Sequence, residues 1–400
     1  MKKNLFRSFL DLKRNRRLIY DYGGKMKKIK VNAYLNANLG DDLFIKVLCE
    51  RYKNVSFHIC GNKFYKETLE SIKNVKLYET DHIYRRVINR LFIKIGKLNY
   101  LTSKFDNIVD GVVHIGGSLF IEGEKWEYYF DNFTKKRFIE GKPFYLLGAN
   151  FGPYEDKQYY KKHKEEFKKY TDICFREEYS YKKFIDLPNV RMAADIVFGL
   201  KTKKFKEKNM VVISVIKPSI RKGLDTYDEL YYKLIRNICK KFIDNNVGVT
   251  LMSFCRGEKD EEAINEIKRG MDKEDKEKIF EYKYRTNMNE ALKVIGEAKF
   301  IIATRFHAMI LGFVFNKNVF PIAYSNKMLN ILDDINFKGN YSDLRNLNSL
   351  SEETIYETFL NDTNYIDIEQ QRRDAEKHFE VLDKFLDYNK ETVKQNKNLM

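Results

Sequence analysis

Phe300-Ile301-Ile302-Ala303-Thr304-Arg305-Phe306-His307-Ala308-Met309-Ile310-Leu311-Gly312-Phe313-Val314-Phe315 is the stretch whose reading decides the fold of this chain. Its first five residues, 300–304, read as a buried strand, and the apolar run at 306–315 is long enough for a helix packed on it. Another short apolar run, 319–322, completes a strand–helix–strand unit, in which the helix returns the chain so that the next strand lies parallel to the first.

The same alternation extends in both directions. Towards the N-terminus, strands are expected at 29–35, 55–60, 75–78, 109–115, 144–148, 173–175 and 190–194, with helices at 42–52, 65–72, 126–139 and 156–170. The polar segment 201–209 reads as a linker. A second series follows, with strands at 210–216, 247–254, 279–282, 300–304 and 319–322 and helices at 227–245, 258–271, 289–298, 306–315 and 326–335. Ser351, followed by Glu352 and Glu353, reads as an N-cap with acidic first-turn residues, and a last long helix is expected at 366–388. The fold class is α/β: two doubly wound, Rossmann-like domains facing a cleft. The divisions expected are a basic N-terminal extension at 1–25, a first domain at 26–200, the linker at 201–209, a second domain at 210–345 and C-terminal helices at 346–400.

Composition narrows the function. Hydrophobic residues make up 43% of the 400, enough for sizeable cores and against disorder. Lys and Arg number 74 against 57 Asp and Glu, a net charge of +17 that attracts polyanions without saying which. No helix-turn-helix, zinc-finger or RNA-recognition signature is present, so nucleic acid is not the expected partner. The five cysteines show no C-x-x-C pair, which points to a reducing cytoplasm, and no apolar run approaches the roughly 20 residues of a membrane span. Residues 1–30 concentrate eleven cations around Leu5, Phe6, Phe9, Leu10 and Leu12. Three readings stand for this segment: a surface helix in peripheral contact with an anionic membrane, a solvated tail, or a true start at Met26.

In open α/β sheets ligands bind beyond the carboxyl ends of the strands. That rule selects a handful of turns. Asn36-Ala37-Asn38-Leu39-Gly40-Asp41-Asp42 opens a helix after the first strand, where Asp41 or Asp42 serves either as an N-cap or as a contact for substrate. Gly116-Gly117-Ser118 leaves a buried strand with bare backbone N–H groups suited to an anion or a sugar. Asn150 lies in the turn 148–153, and Arg176 follows the strand at 173–175, free either to pair on the surface or to fork towards a carboxylate or phosphate. Arg305 and His307 at the start of the helix at 306–315 combine a fixed charge with a group that exchanges protons near neutral pH. Lys327, Lys217 and Arg256 are further cations at strand ends. No clustered His and Cys ligands appear, so no metal is expected. Neither G-x-x-x-x-G-K-[ST] nor G-x-G-x-x-G occurs, which disfavours ordinary nucleotide loops.

The order of these segments resembles the motif series of the polysaccharide pyruvyl transferase family. Asn-Leu-Gly-Asp (38–41), Gly-Gly-Ser-Leu-Phe (116–120), Gly-Ala-Asn-Phe-Gly-Pro (148–153), Arg-Glu-x-x-Ser (176–180), Ala-Asp-Ile-Val-Phe (194–198), Thr-Arg-Phe-His-Ala (304–308) and Tyr-x-x-Lys (324–327) carry it. Three positions depart from the pattern: Glu177 where Asp is commoner, Asn150 where a second Gly is usual, and Ile115 where a third Gly is common. The resemblance implies a GT-B-like fold and a reaction of phosphoenolpyruvate as co-substrate, without a cofactor, on a saccharide acceptor that is free or lipid-linked. It implies Arg305 as donor-anion binder and His307 in proton transfer, with Lys327 and Arg176 as secondary donor contacts. Asp41 and Asp195 are then candidates to orient or deprotonate acceptor hydroxyls. The alternative of the same architecture is a glycosyltransferase using a nucleotide sugar.

Overall fold

A computed structural model describes residues 26–81 and 106–388. The basic extension at 1–25, with the membrane contact expected of it, lies outside the described residues.

Two parallel sheets form the framework. The first runs in the order β3-β2-β1-β4-β5-β6-β7, built from Lys28–Ala33 (β1), Ser56–Gly61 (β2), Val75–Glu79 (β3), Gly111–Ile115 (β4), Phe144–Ala149 (β5), Asp172–Phe175 (β6) and Val190–Met192 (β7). The second runs β10-β9-β8-β11-β12-β13, from Met210–Ser214 (β8), Gly248–Ser253 (β9), Ile279–Lys283 (β10), Phe300–Ala303 (β11), Asn318–Ala323 (β12) and Ser342–Asp343 (β13). The central strands are covered on both faces, which is why β4, β5 and β12 are buried throughout and read as unbroken apolar runs. The two-residue β13 is too short and polar to have been expected. In each sheet the strand order reverses between the first strand and its neighbour, β1/β4 and β8/β11, and the crevices at those two switch points face each other.

Four helices position the site: Leu39–Arg51 (α1), Asp260–Arg269 (α2), Phe306–Val314 (α3) and Asn326–Asp334 (α4). α1 starts three residues before the expected 42. Asn38, not Asp41 or Asp42, is its N-cap, accepting a hydrogen bond from Gly40 N at 3.1 Å. Both aspartates therefore fall in the first turn, where the helix dipole favours acidic groups. α3 is apolar all round except at His307 because it is enclosed by its own sheet and by the first domain. One continuous apolar cluster runs from Leu39, Leu43 and Phe44 of α1 to Phe306, Met309 and Ile310 of α3. Each such side chain removed from water contributes about 1.5–3 kcal/mol, so the cluster stabilises the closed arrangement of the two domains. A main-chain hydrogen bond from Leu39 N to Phe254 O, 3.0 Å, joins them beside the cleft.

The helix expected at 366–388 is broken into Glu369–Ala375, a tighter turn at Glu376–Phe379, and Glu380–Phe385. The reason lies in its partner. This segment returns to the first domain and bends along it, so that Arg51 forks onto Asp383 at 3.0 and 2.5 Å and reaches Glu376 at 2.7 Å. Likewise the helix expected at 126–139 is a single turn, Trp126–Tyr129, continued irregularly through Thr134 and Arg137. Among the described residues no helix is long and apolar enough to cross a membrane.

Candidate active site

The facing crevices enclose about 150 Å³ lined by residues of both domains, among them Asp41, Gly117, Ser118, Arg176, Glu258, Arg305, His307, Tyr324 and Lys327. His307 is the centre of it. Projecting from the first turn of α3, its ring enters the first domain and packs edge-on against Phe44 at 5.6 Å and Phe306 at 5.0 Å. Its Nδ1 lies against Gly40: a Cβ placed there would stand 1.8 Å away, so only glycine admits the ring. Nε2 faces Asp195 Oδ2 at 3.8 Å, an ion-pair distance rather than a hydrogen bond. Nε2 is thus buried facing a carboxylate without a hydrogen bond to it, while Nδ1 lies against Gly40.

Asp195 is fully buried, taking Val197 N–H on Oδ1 at 2.8 Å and Arg176 Nη1 on Oδ2 at 2.8 Å. Burial alone would raise its pKa, but His307, Arg176 and the Val197 N–H more than offset this and hold the carboxyl well below its ordinary range. The Arg176 guanidinium is pinned a second time by Asn150 Oδ1 at 2.8 Å and lies 4.7 Å over the Phe306 ring. It also presses on Gly117, where a Cβ would come within 2.6 Å of two guanidinium nitrogens. Asp41 shows the opposite electrostatics: burial raises its pKa, and His307, Arg176 and the Gly117 N–H only partly counter that. The Arg-Glu-x-x-Ser motif works as a brace here. Ser180 Oγ donates to Glu177 at 2.6 Å and accepts from Phe151 N at 2.7 Å, fixing the turn that carries Asn150.

On the second domain's side Arg305 precedes α3. Ser214 Oγ accepts the backbone N–H groups of Thr304 and Arg305 at 3.0 and 3.1 Å, which ties this turn to the end of β8. The Arg305 side chain is buried and ion-paired with both Asp260 and Glu258. Asp260 is itself anchored by the N–H groups of Phe254 and Cys255, each at 2.9 Å. Glu258 binds Arg221 Nη2 at 2.5 Å as well, and burial is outweighed by Arg305 and Arg221 so that its pKa falls to about 2. Tyr324 lies beneath Arg221, 4.5 Å from ring centroid to guanidinium. Burial pushes its phenol up, yet Lys327, Arg221 and Arg305 together draw it below the ordinary value.

The structure therefore gathers Asp41, Gly117, Ser118, Arg176, Arg305, His307 and Lys327 at the cavity, with Gly40, Asn150 and Asp195 immediately behind its wall and Gly116 one step back in the turn. It does not bring the others there. Asp42, expected beside an acceptor, points away and is buried under the hydroxyls of Tyr65 and Tyr284, at 3.0 and 2.6 Å. Lys217 pairs with Glu262 at 2.8 Å outside the cavity, and Arg256 is exposed on the outer turn. Nor is Arg305 an open cation, because two carboxylates already engage it. Glu258, Asp260, Arg221 and Tyr34, at or beside the cavity, are not among the residues the sequence singles out. The signal for Glu258 and Asp260 was their position just beyond the strand at 247–254, where they were counted only as helix residues. Among the described residues no group of three His, Cys, Asp or Glu is arranged to hold a metal ion.

Comparison with known proteins agrees with this geometry at the level of fold. The Anabaena protein HepE in complex with UDP and glucose superposes with a TM-score of 0.53 at 13% identity, covering 94% of this chain and 100% of that one. TarM gives 0.53 at 12% identity over 92% and 99% of the two chains. UDP-N-acetylglucosamine 2-epimerase from Rickettsia bellii gives 0.52 at 12% over 91% and 98%. The two-sheet architecture is thus GT-B-like. No curated protein matches the sequence. A family model does, over residues 38–326, a span that begins at the cap of α1, ends at the first residue of α4 and takes in the cavity-lining residues from Asn38 to Tyr324. The chain belongs to the polysaccharide pyruvyl transferase family.

Proposed function

We propose that this cleft transfers the pyruvyl group of phosphoenolpyruvate onto two hydroxyls of one sugar, forming a ketal and releasing phosphate. The acceptor is a cell-surface polysaccharide or its lipid-linked precursor, met in the cytoplasm at the anionic inner face of the membrane. The observation that carries the reading is His307 of one domain projecting to face Asp195 of the other, beside a cavity that Asp41, Arg176 and Lys327 also line.

The chemistry matches that set. The donor's methylene gains a proton, the adjacent carbon becomes cationic, two C–O bonds form there and the bond to phosphate oxygen breaks. Of the two hydroxyl protons, one is balanced by protonation of the methylene and the other leaves with phosphate. His307, facing Asp195, moves protons at the reacting centre. Asp41, at the cavity wall, serves the acceptor hydroxyls. Arg176 and Lys327 meet the donor's anionic groups.

The test is phosphate release from phosphoenolpyruvate with lipid-linked oligosaccharide acceptors, together with the mass of a pyruvyl ketal on the product. Activity should survive EDTA. Release of a nucleoside diphosphate from a UDP-sugar, with phosphoenolpyruvate ignored, would instead establish the glycosyl-transfer reading, which the likeness to UDP-bound HepE keeps in view.

A further inference from the structure

Four cations and four carboxylates meet around the cavity: Arg176, Arg221, Arg305 and Lys327 against Asp41, Asp195, Glu258 and Asp260. With every carboxylate ionised, such a cluster is neutral and gives a multiply charged anion little to bind. Asp195 is held by Arg176 and Val197, Asp260 by Arg305 and two backbone N–H groups, and both are fully buried. Asp41 is half-buried and lies beside His307 and the Gly117 N–H. Glu258 differs. Its side chain retains 39% of its exposure, on the short turn Arg256–Glu258 whose other two residues are exposed.

The position Glu258 fills is informative. A single oxygen, Oε2, is bound at once by Arg221 Nη2 at 2.5 Å and by Arg305 Nη1. Two guanidinium groups thus converge on one carboxylate oxygen, a geometry equally suited to an oxygen of any other carboxylate or of a phosphate. Both guanidinium groups remain oriented without it. Arg305 keeps Asp260, while Arg221 keeps its hydrogen bond to Lys217 O at 3.0 Å and its seat over Tyr324.

We propose that Arg221 and Arg305 form a clamp for an anionic group of the donor, and that Glu258 occupies this clamp until the donor's anion replaces it. The inference rests on the phosphoenolpyruvate reading above. It adds Arg221 as a donor-binding residue and makes Glu258 a competitor of the substrate rather than a contact for it.

Glu258→Gln and Arg221→Ala test it, with folding of each followed by circular dichroism. KM for phosphoenolpyruvate and binding of inorganic phosphate, by calorimetry, are the two readouts. Glu258→Gln should lower KM and tighten phosphate about tenfold, and Arg221→Ala should raise KM about 10–100-fold with a smaller change in kcat. The double variant should lose the gain of Glu258→Gln. Unchanged or weaker phosphate binding in folded Glu258→Gln would overturn the clamp, as would an unchanged KM in Arg221→Ala. If no variant nor the native chain consumes phosphoenolpyruvate, the reading of the donor fails, and phosphate binding still decides the clamp on its own.

Discussion

At residue 40 a hydrogen atom is the largest side chain the fold accepts, because His307 of the other domain occupies the space a methyl group would need. Gly40→Ala should therefore act on catalysis more than on stability. Displacing a reacting group by about 1 Å can cost about 10²-fold, so kcat should fall by at least that order while the melting temperature shifts little. Equal turnover in the folded variant would show that His307 does not work from this position. His307→Ala should lower kcat about 10²–10⁴-fold without unfolding the protein, since the ring contributes one edge to a large apolar cluster. Near-normal turnover of folded His307→Ala would remove it from the mechanism. At this scale the sequence made Asp41, Arg176, Arg305 and His307 legible, because each stands at the end of a buried strand. The Gly40–His307 contact was not legible, nor was the pairing of Arg305 with Glu258 and Asp260. An arginine that binds substrate and one already neutralised by its neighbours have the same letter and the same local pattern.

The first turn of α1 joins the two domains through Asp42. Its carboxyl lies between Tyr65 of the first domain and Tyr284 of the second, and burial, only partly relieved by those two hydroxyls and worsened by Asp41, pushes its pKa up to about 8. The folded chain thus keeps a proton that the unfolded chain releases from about pH 4 upward. Stability from this site is complete at acid pH and is lost as the pH rises towards 8. Asp42→Asn keeps an acceptor for a tyrosine hydroxyl and cannot ionise. Its melting temperature relative to the native chain should therefore climb between pH 5 and pH 8, and a constant difference across that range would refute the assignment. Strands were read with little error because burial on both faces leaves only apolar residues in them. The ends of α1 and the break in 369–385 were missed for a different reason. Apolar periodicity records that one face is buried, but not that Asn38 outcompetes the aspartates as cap or that the surface beneath the last helices curves.

Among the described residues two crossings connect the domains, the stretch around 201–209 and the one after Asn361, and the second carries the chain back to the first domain. There Asp374 accepts from Ala194 N at 2.6 Å and His378 Nε2–H donates to Ala194 O at 2.9 Å, bracing the turn that holds Asp195. Arg51, forked onto Asp383, anchors the same segment. Arg51→Ala should cost about 1.5–3 kcal/mol in a denaturant titration, the worth of hydrogen bonds between charged groups, and an unchanged midpoint would mean the return segment is not anchored there. The two-domain plan was legible from the alternation of strands and helices, but the return was not, since nothing in the composition of 366–388 names the surface it covers. The consequence reaches back to how the chain is made. While the ribosome is still delivering the second domain, the strands of the first are already available, yet the turn bearing Asp195 stands without its brace until residues 374–383 emerge. The facing of His307 and Asp195 is thus completed only once residues 374–383 have emerged, and a nascent chain halted within the second domain would carry His307 with no firmly held carboxylate opposite it.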